Sequence, residues 1–242
     1  MGESGEPRKS ELALASEQAM VVQTPGGRIH VRWDEGASGT PHGQFVFFAE
    51  FLATAGLFDR WVQGCPLRYT SPNASMARDV LGTLMVGILA GSRRYAHIGS
   101  VRGDTVAAQA LGMSKLVSED SVRRALKAMP QHDSENWMRE ALMHSVRQAL
   151  EQPWVMDLDV TIKPLYGHQQ GAEVGFNPHK PGRPSHALHT YRVGNLRLVL
   201  DAELLSGKEH SSRHGLPALE RVLDELGPDK QPRLVRGDCG YG

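Results

Sequence analysis

The run WVMDLDVTIK, Trp154 to Lys163, alternates apolar and polar residues without a break, the period of a β-strand buried on one face. No other stretch constrains the fold as much. Trp154, Met156, Leu158, Val160 and Ile162 point one way and need a core to meet, while Asp157, Asp159, Thr161 and Lys163 point the other way. Asp157 and Asp159 thus share the second face, about 6.5–7 Å apart by the rise of a strand. Such a strand belongs to a sheet with one packed side and one polar side.

The residues after this strand extend the sheet. A loop of Gly, His and Pro leads to HALHTYRV and LRLVLDAEL, two strand-like runs joined at Gly194-Asn195. A helix from about Leu216 to Leu226 comes next, built on Leu219, Val222, Leu223 and Leu226, and then a short strand, RLVRGD, from Arg233 to Asp238. The order is β-β-β-α-β. Ahead of Pro153 the character differs. Residues 21–33 read as a β-hairpin turning at Pro25-Gly26-Gly27, and 45–150 read as mostly helical. One helix carries Val80, Leu81, Leu84, Met85, Ile88 and Leu89 as a buried stripe. Another runs from about Ser134 to Gln152 with Met138, Leu142, Ser145 and Ala149 along one face.

Between them, Asp104 to Met129 reads as a helix, a turn at Gly112, and a second helix capped near Ser118 with Glu119 and Asp120 in its first turn. Val122, Ala125, Leu126 and Met129 form its packed side, and Arg123, Arg124 and Lys127 project outward. A helix-turn-helix with that basic face can enter a DNA groove. An αα-hairpin with a solvated charged face has the same pattern, and both readings stand.

Composition excludes several classes. Lys plus Arg equals Asp plus Glu at 27 each, so bulk charge points neither to nucleic acid nor to an acidic membrane, and a DNA site must come from local clustering. Two distant cysteines, Cys65 and Cys239, make neither a disulfide framework nor a metal motif, which points to a reducing cytoplasm. Residues 1–20 are expected to be a disordered tail without the apolar core of a signal peptide. The most apolar region, Val80 to Ala90, is too short for a membrane span, so no membrane partner is expected.

The α+β order, a helical N-terminal region followed by β-β-β-α-β, is the first half of a ribonuclease-H-like mixed sheet. In such a sheet the first and fourth strands can be neighbours, which would bring Asp159 near Asp238. Two carboxylates aimed at one point repel unless a cation lies between them, and Mg²⁺ or Mn²⁺ prefers these hard oxygen donors.

The residues carry a resemblance. LDVT, Leu158 to Thr161, extending through Lys163 to His186, resembles the first-aspartate motif of insertion-sequence transposases of the DDE class. RGDCGY, Arg236 to Tyr241, resembles the second-aspartate motif. The resemblance implies a ribonuclease-H-like catalytic domain over 153–242 and a mostly helical DNA-binding region over 21–152. It implies Asp159 and Asp238 as catalytic, metal-binding residues, Mg²⁺ or Mn²⁺ as cofactor, and double-stranded DNA, both transposon ends and target, as partner. A homodimer is compatible with it. The family chemistry it implies is cut-and-paste: water cleaves the phosphodiester, and the freed 3′-hydroxyl attacks target DNA. The family's third acid is a Glu on a helix well downstream of the second aspartate. Glu203, Glu209, Glu220 and Glu225 all precede the last strand, so the expectation is an incomplete N-terminal portion of such an enzyme. The alternative is a non-catalytic DNA-binding remnant or inhibitor of transposition.

Lys163, Lys180, Arg183 and Arg236 are the expected phosphate contacts near the carboxylates, with Arg123, Arg124 and Lys127 helping to find the DNA end. Asp157 reads as a polar neighbour of Asp159 more than as a principal ligand. His168, His179, His186 and His189 match no zinc spacing, and Cys239 lacks a base partner that would make it a nucleophile.

Overall fold

The computed structural model describes residues 20–31, 36–69, 71 and 73–241. The expected tail over 1–20 lies outside the described residues except for Met20. The hairpin forms from β1 (Met20–Thr24) and β2 (Gly27–Val31), with Thr24 opposite Gly27 across the Pro25-Gly26 turn. Its expected end at 32–33 lies outside the described residues.

The next helices are α1 (Phe45–Thr54), α2 (Leu57–Gly64), α3 (Ala77–Leu89), α4 (Thr105–Ala110), α5 (Glu119–Ala128) and α6 (Gln131–Val146). Short 3₁₀ turns lie at Tyr95–Val101 and Arg147–Glu151. α4 and α5 form the expected pair: Gly112 takes a left-handed φ of 61° at the turn, and the Ser118 hydroxyl accepts from the Ser121 N–H to cap α5. Asp104 caps α4 through the Ala107 N–H. Buried polar groups tie this region to α3. Asp79 accepts from the Ser114 backbone and hydroxyl, and the Thr83 hydroxyl accepts from the Val117 N–H.

Two stripes differ from expectation. In α3, Val80, Leu81 and Val86 are buried, but Ile88 and Leu89 are exposed, because the helix end runs out of neighbours on that side. α6 buries Trp137, Met143 and Val146, while Met138 is exposed, so its packed face is rotated from the expected one. The cause is that α6 serves two cores. Trp137 stacks on Trp61 with ring centroids 5.3 Å apart in the first core, and Met143 and Val146 enter the second.

The second part is a mixed sheet of β3 (Val155–Pro164), β4 (Glu173–Val174), β5 (Pro184–Val193), β6 (Leu198–Ser206) and β7 (Leu234–Gly237), with α7 (Ser211–Leu226) crossing between β6 and β7. β5 lies between β3 and β6, antiparallel to both, and β7 pairs parallel with β3 on its other edge. The β-β-β-α-β order and the adjacency of first and fourth strands are therefore present. The two-residue β4, pairing with Pro184 and Ser185, is an addition. α7 starts five residues earlier than the sequence suggests. His210 caps the helix through the Ser212 N–H at 3.3 Å, and Pro217 falls within its second turn. Trp154, Met156, Leu158, Tyr191, Val193 and Leu200 pack under Ala218, Val222 and Leu226 of α7. Among the described residues no helix is long and apolar enough to cross a membrane.

Candidate active site

The Asp157 and Asp159 side of β3 is the side that α7 does not cover. Its register with β5 sets Asp157 opposite Arg192 and Asp159 opposite Thr190; its register with β7 sets Asp157 beside Arg236 and Leu158 beside Gly237. The parallel ladder ends there, one residue short of both Asp159 and Asp238.

Each charged residue on this face has a defined role in the packing. Arg236 grips Asp157 with both ends of its guanidinium, Nε to Oδ1 at 2.7 Å and Nη2 to Oδ2 at 2.9 Å. That bond holds the guanidinium protonated more firmly than usual. Gly194, at the end of β5, makes the approach feasible, since a Cβ there would collide with the Asp157 carboxylate. Asp157 is thus consumed by a fork-like ion pair, which accounts for the second aspartate on the strand. Arg192 reaches diagonally to Asp159, Nη2 to Oδ2 at 3.3 Å, with both side chains nearly half exposed. Asp238 is exposed, and its Oδ1 accepts from the Gly240 N–H at 2.9 Å.

Three aromatic and imidazole contacts close the end of β7. The Tyr241 N–H donates to the Asp238 carbonyl at 3.1 Å, turning the chain back. The Tyr241 ring lies against Gly237 and against Gly215 of α7. Its hydroxyl is 3.1 Å from Nδ1 of His189, a fully buried residue of β5, with the rings edge to face. Burial pushes the Tyr241 phenol up to about 12, and the charges of Asp238, Asp159 and Glu203 add to the shift. Burial holds His189 below its ordinary value, so the ring is neutral.

The remaining expected residues stand apart. Lys163 shares the Asp159 face four residues further on, about 13 Å along the strand. Lys180 and Arg183 lie in the loop before β5, with the Arg183 guanidinium 4.5 Å from the centre of the Tyr166 ring. Arg123, Arg124 and Lys127 are exposed on α5 in the helical part, and Arg123 pairs with Asp120 one turn earlier. Of the loop histidines, His186 bonds the Gln170 carbonyl and His189 bonds Tyr241. Arg192, His189 and Tyr241 have no assigned role from sequence alone. A register count between β3 and β5 is what finds Arg192.

The donor set fits a hard divalent cation. Asp159 lies midway along β3 and Asp238 just past the end of its parallel neighbour β7; Asp159 is half-buried and Asp238 exposed, and among the described residues each carboxylate uses one oxygen on a protein donor, which leaves lone pairs for an ion. Among the described residues no group of three or more His, Cys, Asp or Glu side chains is placed to hold a metal.

A solved piggyBac transposase synaptic complex with hairpin DNA aligns at 13% identity and a TM-score of 0.30 over 78% of this chain. The chain spans 45% of that protein's length. No curated protein matches significantly. The family model for the transposase DDE domain, group 1, matches residues 25–242, and with nearly all of the chain inside that match, the chain belongs to the DDE transposase domain family.

Proposed function

We propose that this chain forms part of a DNA transposase in which Asp159 and Asp238 hold Mg²⁺ or Mn²⁺ at a phosphodiester of transposon-end DNA. The parallel pairing of β3 with β7 carries the reading, since it ends one residue before each aspartate. When bound, such an ion supplies Lewis acidity, lowering the pKa of an attacking water and neutralising charge on phosphate oxygens.

The chain's own residues prepare that site. Asp159 and Asp238 supply hard oxygens, and Arg192 restrains Asp159 by one oxygen. Arg236 neutralises Asp157, so this face does not present three uncompensated negative charges to a polyanion. In this reading Arg236 braces Asp157 first, and Lys163, Lys180 and Arg183 are the phosphate contacts. The cut-and-paste order, hydrolytic cleavage before 3′-hydroxyl attack on target DNA, is part of the proposal, as are residues 21–152 as the DNA-binding region and a homodimer as the assembled form.

Asp159→Asn and Asp238→Asn test it. Each is expected to weaken Mn²⁺ binding to the chain more than about 100-fold, beyond the range of outer-shell partners. In the transposase that contains the chain, each is expected to abolish Mg²⁺-dependent nicking of end DNA. Full nicking by either variant would rule out the assignment. Salt-dependent binding of end DNA with no nicking at any Mg²⁺ concentration would instead identify a DNA-binding inhibitor.

A further inference from the structure

Asp238 lies beyond the last ladder pair of β7, so no sheet hydrogen bond fixes where its carboxylate stands relative to Asp159. We infer that Tyr241 is the positioning residue that does so, anchoring the Asp238–Tyr241 turn to β5 through His189 and to α7 through Gly215. This rests on the reading of Asp159 and Asp238 as metal ligands, and it concerns how the second of them is held.

Each residue of Arg236 to Tyr241 whose side chain is described then has a distinct role. Arg236 fastens β7 to β3 through Asp157. Gly237 leaves room for the Tyr241 ring, whose Cβ a side chain at 237 would meet at 3.3 Å. Gly240 turns the backbone so that its N–H reaches Asp238 Oδ1, and a Cβ there would stand 3.0 Å from that oxygen. Tyr241 closes the turn onto the Asp238 carbonyl, and its ring enters the slot at Gly215. A Cβ on Gly215 would overlap the ring edge at Cδ1.

The far end of the anchor is rigid. His189 has no solvent exposure, belongs to a strand paired on both sides, and keeps its Nδ1 on the Tyr241 hydroxyl. Among the described residues its other nitrogen, Nε2, is buried without a hydrogen-bond partner, and Tyr241 is the side chain that bonds this ring. Removing the hydroxyl leaves a second imidazole nitrogen unpaired, a cost that only movement of the turn or entry of water relieves. β3 carries Asp159 opposite Thr190, next to His189, so the anchor joins both carboxylates to the same central strand.

The test uses the full chain, with Mn²⁺ as the probe and two variants that keep both proposed ligands. Tyr241→Phe keeps the ring in its slot and deletes the hydroxyl. Gly215→Ala keeps the hydroxyl and crowds the ring, although alanine favours the helix itself. Both are expected to weaken Mn²⁺ binding, followed by electron paramagnetic resonance, by about 10-fold, the usual effect of losing an outer-shell support. Amide exchange over Leu234 to Tyr241 is expected to quicken in both. Gly215→Ala added to Tyr241→Ala should cost no further affinity, because the ring it displaces is gone. Unchanged Mn²⁺ affinity in Tyr241→Phe and Gly215→Ala, whether or not exchange quickens, overturns the inference, since the pair would then serve stability alone. Absence of Mn²⁺ binding by the unaltered chain, or binding indifferent to Asp238→Asn, overturns the metal reading and this inference with it. Tight binding lost in Asp238→Asn but kept in Tyr241→Phe and Gly215→Ala overturns the inference only.

Discussion

His189 is fully buried, and burial lowers its pKa below the ordinary 6.5; the nearby Glu203 opposes the shift and His214 adds to it. Stability therefore depends on pH. Above about pH 6.5 the ring is neutral folded and unfolded, and titration costs nothing. Below it, the unfolded chain takes up a proton that the folded chain resists, so stability falls as pH drops towards the folded pKa. Urea midpoints measured from pH 7.5 down to 5.5 are expected to decline, by at most about 1.4 kcal/mol per pH unit from this residue. His189→Gln, which keeps a partner for the Tyr241 hydroxyl, should flatten that decline; an unchanged slope would assign the acid sensitivity elsewhere. The contacts of His189 and Arg192 were not legible in the sequence, because they come from pairing register. The placement of Asp159 and Asp238 beyond one ladder of paired strands was legible, because strand alternation and motif spacing are local properties. Asp157 stood between the two cases: its face was readable, but its partner Arg236, 79 residues away, was not.

At the scale of elements, β6 depends on two helices for charge balance. Asp201, almost wholly buried, and Glu203 are shared by Arg139 of α6 and Arg221 of α7, with Arg221 Nη2 at 2.7 Å from both acids. The Tyr191 hydroxyl also reaches Glu203, at 3.4 Å, and burial raises its pKa. Arg221→Met keeps the length of the side chain but removes the shorter of the two arginine contacts to Asp201, leaving the one to Arg139 at 3.4 Å and the Ala202 N–H. It is expected to cost about 3 kcal/mol in urea denaturation, the scale of breaking one partner from a buried pair. Arg123→Ala, which breaks an exposed pair with Asp120, should cost under about 0.5 kcal/mol. Similar losses for both would mean that the buried cluster does not hold β6 to its helices. The strands were legible from alternation and the β6-to-β7 crossover from apolar spacing. The rotated face of α6 was not, because one helix packs into two cores and its pattern averages their demands. The start of α7 was missed because Ser211 to Gly215 add no apolar residue to the periodic stripe.

For the whole molecule, zero formal net charge means that the proposed binding of DNA would rest on local groups rather than on a global field. The α+β division and the element order were legible, and so was the basic face of α5, but sequence alone left open whether that face meets DNA or only water. Val122 and Ala125 are fully buried and the helix is capped at Ser118, so Arg123, Arg124 and Lys127 project from a fixed support. Arg123 is partly neutralised by Asp120, which places the larger expected share on Arg124 and Lys127. If the face tracks a phosphate backbone, each lost contact lowers the slope of log binding constant against log salt by about 0.9. Arg124→Ala with Lys127→Ala should therefore reduce the slope by nearly 2 in a salt titration with end DNA, with the fold unchanged by circular dichroism. Asp120→Asn should raise affinity by freeing Arg123. An unchanged slope in the double variant would make the α4–α5 pair a solvated hairpin and leave Lys163, Lys180 and Arg183 to carry DNA attraction.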